Sequence, residues 1–186
     1  GEHAIAAYGV GMRIEQLVLL PILGVASSLL PIAAQNFGAH DFDRVRAAVA
    51  FSIKISLIFM AAACPLLWLG AEFAFNLFSQ DPEVIRVGVG YLHFDAVLLP
   101  IYGLLFIINA LLQALQRPIW VLWISIYRQG FGVAFFIWVY LTLFGWDIWH
   151  VWYGVGTSVV SGLILSVLIA MYVAKREING LLSTTK

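Results

Sequence analysis

Seven residues carry polar chemistry inside otherwise apolar runs: Arg13, Glu15 and Gln16 early in the chain, Tyr102, Asn109 and Gln113 in its middle, and Arg128 beyond them. Buried at mid-bilayer, an uncompensated ionic side chain costs at least about 2.5 to 3.5 kcal/mol, so each such position is a candidate site. Arg13 and Glu15 are two apart and point to roughly opposite sides of a helix, so each needs its own partner or water. Glu15 lies roughly 30 Å along a helix from Gln35, which favours a solvated or structural place near one boundary over ion binding. Arg128 lies about 12 Å from Trp120, deeper than its side chain easily snorkels, and calls for a protein partner. Tyr102, Phe106, Asn109, Gln113 and Gln116 recur at intervals of four and three, which places them on one helical face. Asn109 then comes close to the depth of Arg128 on the next, antiparallel helix. A guanidinium has five donors and no acceptor, so the amide oxygens of Asn109 and Gln113 are expected to satisfy part of it.

What must position these residues is a membrane. Hydrophobic residues make up 62% of the 186 and charged residues 11%, against roughly 45 to 50% and 25% in soluble domains, and mean hydropathy is +0.96. Net charge is zero and pI about 7.1, so no basic face for nucleic acid is expected. Five apolar spans follow one another, at about 4–35, 47–70, 95–113, 119–144 and 151–174, each near the roughly 20 residues that cross a bilayer. The fold class read from this pattern is all-α, a polytopic membrane helical bundle of five transmembrane helices.

The first span contains Pro21 and Pro31. Each removes a hydrogen bond, to the carbonyls of Leu17 and Ser27 respectively, which neighbouring helices or the hydroxyls of Ser27 and Ser28 are expected to compensate. Gly38 is expected to take the left-handed conformation that ends the helix. Asp81-Pro82-Glu83 reads as a cap, a favoured first-turn proline and an acid at the positive end of the next helix. In the last span Gly154, Ser158, Gly162, Ser166 and Ala170 recur every four residues, a stripe for close helix packing. Trp146, Trp149, Trp152 and Tyr153 at one end, and Trp120 and Trp123 at the other, are expected to be interfacial anchors.

Other chemistry finds little footing. His3, His40, His93 and His150 fall near span ends or in loops with no i, i+4 pair, so haem or metal ligation is not expected. Cys64 stands alone in an apolar run and reads as a small buried hydrophobe. No nucleophile with a base, no intramembrane pair of catalytic acids and no phosphate loop is evident, so the chain is not read as an enzyme.

The order of several short motifs is similar to a known family. Ala6-Ala7-Tyr8-Gly9, Arg13-Ile14, Leu20-Pro21 with Gly24, Gln35-Asn36-x-Gly38-Ala39, Arg44, Asp81-Pro82-Glu83 and Leu112-Gln113-Ala114-x-x-Arg117-Pro118 resemble the C-terminal half of the multidrug and toxic compound extrusion (MATE) transporters, helices eight to twelve. The resemblance implies part of one lobe of a twelve-helix transporter, a fragment not competent for transport alone. It implies a secondary active antiporter that exports amphiphilic or cationic compounds in exchange for Na+ or H+. The partners are then membrane lipid, small organic cations and the absent N-terminal lobe, with no bound cofactor and no nucleic acid. Tyr102, Asn109, Gln113 and Arg128 become candidates for the substrate cavity, where the ring of Tyr102 can offer a face to a cation. Some branches carry a carboxylate where Tyr102 stands here. That departure leaves a cation site in this lobe without its usual acid, and other branches couple through an acid in the first lobe. Two alternatives remain: a lipid-linked oligosaccharide flippase of the related superfamily, and a non-transporting membrane subunit, for which paired haem histidines are lacking.

Arg44, Arg46, Arg117, Lys175, Arg176 and Lys186 belong to alternate connections and the tail, while the intervening loops hold Asp81, Glu83 with Arg86, and Asp147. The positive-inside rule places the first set in the cytoplasm of a cell membrane, with the bacterial inner membrane expected, Gly1 outside and Lys186 inside. A cysteine replacing Asp43 should therefore react with an impermeant thiol reagent only after the membrane is disrupted, and one replacing Asp147 should react in intact cells. Labelling in the reverse pattern would invert the orientation.

Overall fold

A computed structural model describes residues 2–145 and 147–181. The expectations for Gly1, Trp146, Lys186 and the side chain of His3 lie outside the described residues. The elements are α1 (Glu2–Gly38), α2 (Phe42–Asn76), α3 (Pro82–Ala114), α4 (Pro118–Ile126), a π-helical turn (Tyr127–Phe131), α5 (Gly132–Phe144) and α6 (Ile148–Glu177). Because α4, the π turn and α5 run on without a break, five segments are long and apolar enough to cross a bilayer. All regular structure among the described residues is helical, as hydrocarbon requires of backbone that has no water to bond. Large apolar side chains such as Leu69 and Phe73 point outward, which suits lipid or a protein neighbour rather than water.

Local signals account for most helix ends. Asp81 Oδ1 accepts the backbone N–H groups of Glu83 (2.9 Å) and Val84 (3.4 Å), with Pro82 in the first turn. Asp41 Oδ1 caps α2 by accepting from the N–H of Arg44 at 3.2 Å. The end of α1 differs from expectation: Gly38 stays helical and His40 takes the left-handed conformation, φ 56°. The N–H of Asp41 then reaches back to the carbonyl of Asn36 at 2.9 Å, closing the turn two residues later than the glycine suggests. Gln116 does the same after α3, φ 59°, so it leaves the helical face shared by Tyr102 and Phe106. Ser28 Oγ donates to the carbonyl of Gly24 at 2.9 Å, not to that of Ser27, which Pro31 frees.

α3 is the central helix, the most buried of the five segments, and packs on α1, α2, α4 and α6. Two apolar clusters form around it. One joins Leu29, Val45, Val49, Leu111, Leu112, Ile124 and Ile178; the other joins Ile22, Met60, Phe75, Leu92, Leu99 and Trp152. The basic connections meet at one end of the bundle. Arg46 donates to the carbonyls of Ile178 (2.7 Å) and Gly180 (3.3 Å), and Arg117 pairs with Glu177 at 2.7 Å. Those contacts tie the starts of α2 and α4 to the last turn of α6, whichever side of the membrane they face.

The small-residue stripe of α6 lies against the fourth span. A Cβ at Gly154 would sit 2.8 Å from Ile137 Cγ1 and 2.9 Å from the Ile137 backbone nitrogen, while one at Gly132 would sit 2.5 Å from Ser158 Oγ. Backbone meets backbone here, and no side-chain rotation can make room. Gly154→Val should therefore destabilise the bundle by about 1–3 kcal/mol, read as a lowered melting temperature in detergent. Gly70→Ala, where nothing stands within 4 Å of the new Cβ, should not; equal melting of both variants would refute this packing.

Candidate functional site

Three helical faces and the π turn converge on one cavity of about 510 Å³, within the usual range for small-molecule sites. α1 presents Tyr8, Met12, Glu15, Gln16 and Leu19, α3 presents Tyr91, Asp95, Leu98, Tyr102 and Phe106, and α6 presents Trp152, Val155 and Val159. Apart from the adjacent Glu15 and Gln16, these residues are spaced by three or four, the period that keeps side chains on one face. Arg128 and Gln129 enter from the π turn.

The acids set the character of this space. Asp95 is 2% exposed, and its Oδ2 has no hydrogen-bond partner among the described residues. Glu15 is better supported, since its Oε2 accepts from the hydroxyl of Tyr91 at 2.9 Å. Tyr91 is held edge-on between Tyr8 (5.4 Å between centroids) and Trp152 (5.7 Å). Its ring can approach α1 because position 11 is glycine, where a Cβ would lie 2.5 Å from Tyr91 Cδ1. Both carboxyl groups and Arg128 line this one cavity.

Arg128 is placed by an irregular backbone. In the π turn the N–H of Gly132 bonds to the carbonyl of Tyr127, five residues back. The widened turn leaves the carbonyl of Arg128 to accept from Ser158 Oγ at 2.8 Å. The aliphatic stem lies over Gly162, 3.0 Å from where a Cβ would be. Its guanidinium makes no ion pair or side-chain hydrogen bond among the described residues, and it lines the cavity with Tyr102. π turns are often found where such a side chain must be aimed.

The structure brings together Glu15, Gln16, Tyr102 and Arg128 of the sequence candidates and leaves out three. Arg13 is exposed and outside the cavity. Asn109 and Gln113 lie beyond its lining: Gln113 Nε2 donates to the backbone carbonyl of Asn109 at 3.2 Å, and Asn109 Oδ1 is buried without a partner. The expected amide support of Arg128 is therefore not formed. The π turn and the bond to Ser158 hold Arg128 against α6 and toward the Tyr102 level of α3 instead. Trp152, expected at the interface, is 6% exposed and forms cavity wall.

Asp95, Tyr91 and Tyr8 are functional candidates that sequence reasoning misses. Reading Asp95 as the start of the third span makes it a boundary charge, but α3 starts at Pro82. Asp95 is then about 20 Å into the helix. The cap at Asp81 was the available signal, since a helix counted from there carries Asp95 inward.

Residues 1–138 match the MatE family model. The chain belongs to the MATE family, a family of transporters and not of enzymes. It is 34% identical over 132 residues to the FAD transporter of Shewanella oneidensis, covering 68% of this chain and 28% of that protein. It is 28% identical over 114 residues to the multidrug export protein MepA of Staphylococcus haemolyticus, covering 61% of this chain and 25% of that one. The fold matches a multidrug resistance MATE family transporter of the MOP superfamily in an outward-facing conformation, with TM-score 0.87 and 20% identity over 99% of this chain and 40% of the other. The chain thus spans 28% and 25% of the length of these two curated relatives.

A buried carboxylate without a full set of partners weakens the fold that holds it. Asp95→Asn should raise thermal stability in detergent by about 1–3 kcal/mol, whereas Tyr91→Phe, which strips Glu15 of its hydroxyl donor, should lower it. A drop in melting temperature for Asp95→Asn would mean that the acid is structural.

Proposed function

We propose that the chain is part of the C-terminal lobe of a MATE exporter that moves amphiphilic organic cations out of the cell against an inward flow of H+ or Na+. The observation that carries this reading is the pair of acids, Glu15 and Asp95, on the wall of one aromatic cavity. Carboxyl groups in a low-dielectric space favour an arriving positive charge, whether a proton, a metal ion or an organic cation. The rings of Tyr8, Tyr91, Tyr102 and Trp152 add faces on which a cation can rest. The multidrug names among the relatives support the substrate class, and the clustering of Arg44, Arg46, Arg117, Lys175 and Arg176 supports a cytoplasmic end in an inner membrane. Substrate passage needs the other lobe, because transporter sites form between repeats.

A second reading is favoured by Arg128 and by the FAD transporter of Shewanella oneidensis, whose substrate is a bulky anion-bearing dinucleotide. The two separate in proteoliposomes of the full-length protein loaded with a cationic dye or with FAD. Under the first reading dye movement follows an imposed pH or Na+ gradient and falls at least tenfold in Glu15→Gln and Asp95→Asn at equal expression. Arg13→Gln, outside the cavity, should not change it. Undiminished dye movement in both acid variants would overturn the coupling role, and gradient-driven movement of FAD alone would decide for the second reading.

A further inference from the structure

We propose that Arg128 is a specificity-determining residue that lowers by one the net positive charge the cavity accepts. The inference rests on the reading of the cavity as a cation site. Three ionic side chains line it: Glu15, Asp95 and Arg128. No other Asp, Glu, Lys or Arg is among the lining residues of this chain, so with both carboxylates ionised these three contribute one negative charge and without Arg128 they would contribute two.

The three are placed so that this sum is felt by a ligand and not cancelled locally. Asp95 Oδ2 is without a partner among the described residues, and Glu15 is held by a neutral donor, Tyr91. The Arg128 guanidinium is in no ion pair of 4 Å or less among the described residues, although it lines the same cavity as Glu15. Its backbone is pinned by Ser158 and its stem by Gly162, which keeps the charge in the cavity wall instead of letting it fold onto a carboxylate. Arg is the fitting residue for such a duty, since its guanidinium stays protonated across the physiological range.

A wall that contributes one negative charge is matched by one proton, one Na+ or one monovalent organic cation. Without Arg128 the same wall would contribute two negative charges and would favour a dication or two monovalent carriers. One unit charge within about 10 Å at an effective dielectric near 20 is worth more than tenfold in affinity.

The test measures export of tetraphenylphosphonium, a monocation, and propidium, a dication, by the full-length transporter in cells lacking other exporters. Wild type should favour the monocation. Arg128→Gln should shift the ratio at least about tenfold toward propidium, and Arg128→Lys should keep the wild-type ratio. Asp95→Asn, with net charge zero, should lose both. The double variant Asp95→Asn with Arg128→Gln restores a single negative charge and should recover preference for the monocation. Should Arg128→Gln fail to fold, the comparison of Asp95→Asn with the double variant reads the same charge difference. Wild-type export with an unchanged ratio in Arg128→Gln, or a folded double variant no more active on the monocation than Asp95→Asn, would overturn the inference while cation export stands. Wild type moving neither dye would overturn cation export itself, and the inference with it.

Discussion

A carboxylate buried in a membrane bundle without a full set of partners is a standing electrostatic strain, and Asp95 is such a group. Removing an ion from water is offset only when charge or hydrogen bonds meet it. The surrounding architecture can be understood as supplying part of that compensation and withholding the rest. Tyr91 serves Glu15, not Asp95. Arg128 stands in the same wall without closing on either acid. What is withheld leaves Asp95 Oδ2 without a hydrogen-bond partner among the described residues.

Holding that arrangement apart needs rigid backbone on both sides. α3, wedged among α1, α2, α4 and α6, fixes Tyr91, Asp95 and Tyr102 along one face. Gly11 lets the Tyr91 ring reach α1, and Gly132, Gly154 and Gly162 let α6 reach the fourth span. Glycine in these helices is a matter of distance between backbones, not of flexibility. The same closeness puts Ser158 against the carbonyl that the π turn exposes at Arg128. A stripe that looks like plain packing thereby aims a charge.

Away from the cavity the bundle is tied where basic residues collect. Arg46 reaches the carbonyls of Ile178 and Gly180, and Arg117 reaches Glu177, so the starts of α2 and α4 are anchored to the end of α6. The opposite end is held by ring contacts, Trp149 on Trp152 and Trp152 on Tyr91.

Composition and hydropathy were enough to determine a helical membrane bundle of five spans, because lipid leaves backbone no other way to satisfy its hydrogen bonds. Motif order was enough for the family, and the Asp81-Pro82-Glu83 start and the α6 stripe were legible because caps and i, i+4 spacing are local properties. Tertiary structure alone decided the site. Asp95 looked like a boundary charge until α3 was seen to begin at Pro82, and Trp152 looked like an anchor until α6 was seen to turn it inward. Asn109 and Gln113 shared a face with Tyr102, yet a π turn, which no spacing rule announces, carried Arg128 elsewhere. A one-dimensional pattern fixes which residues share a helix face. Which faces meet, and at what height, depends on where glycines let backbones touch and on one irregular turn.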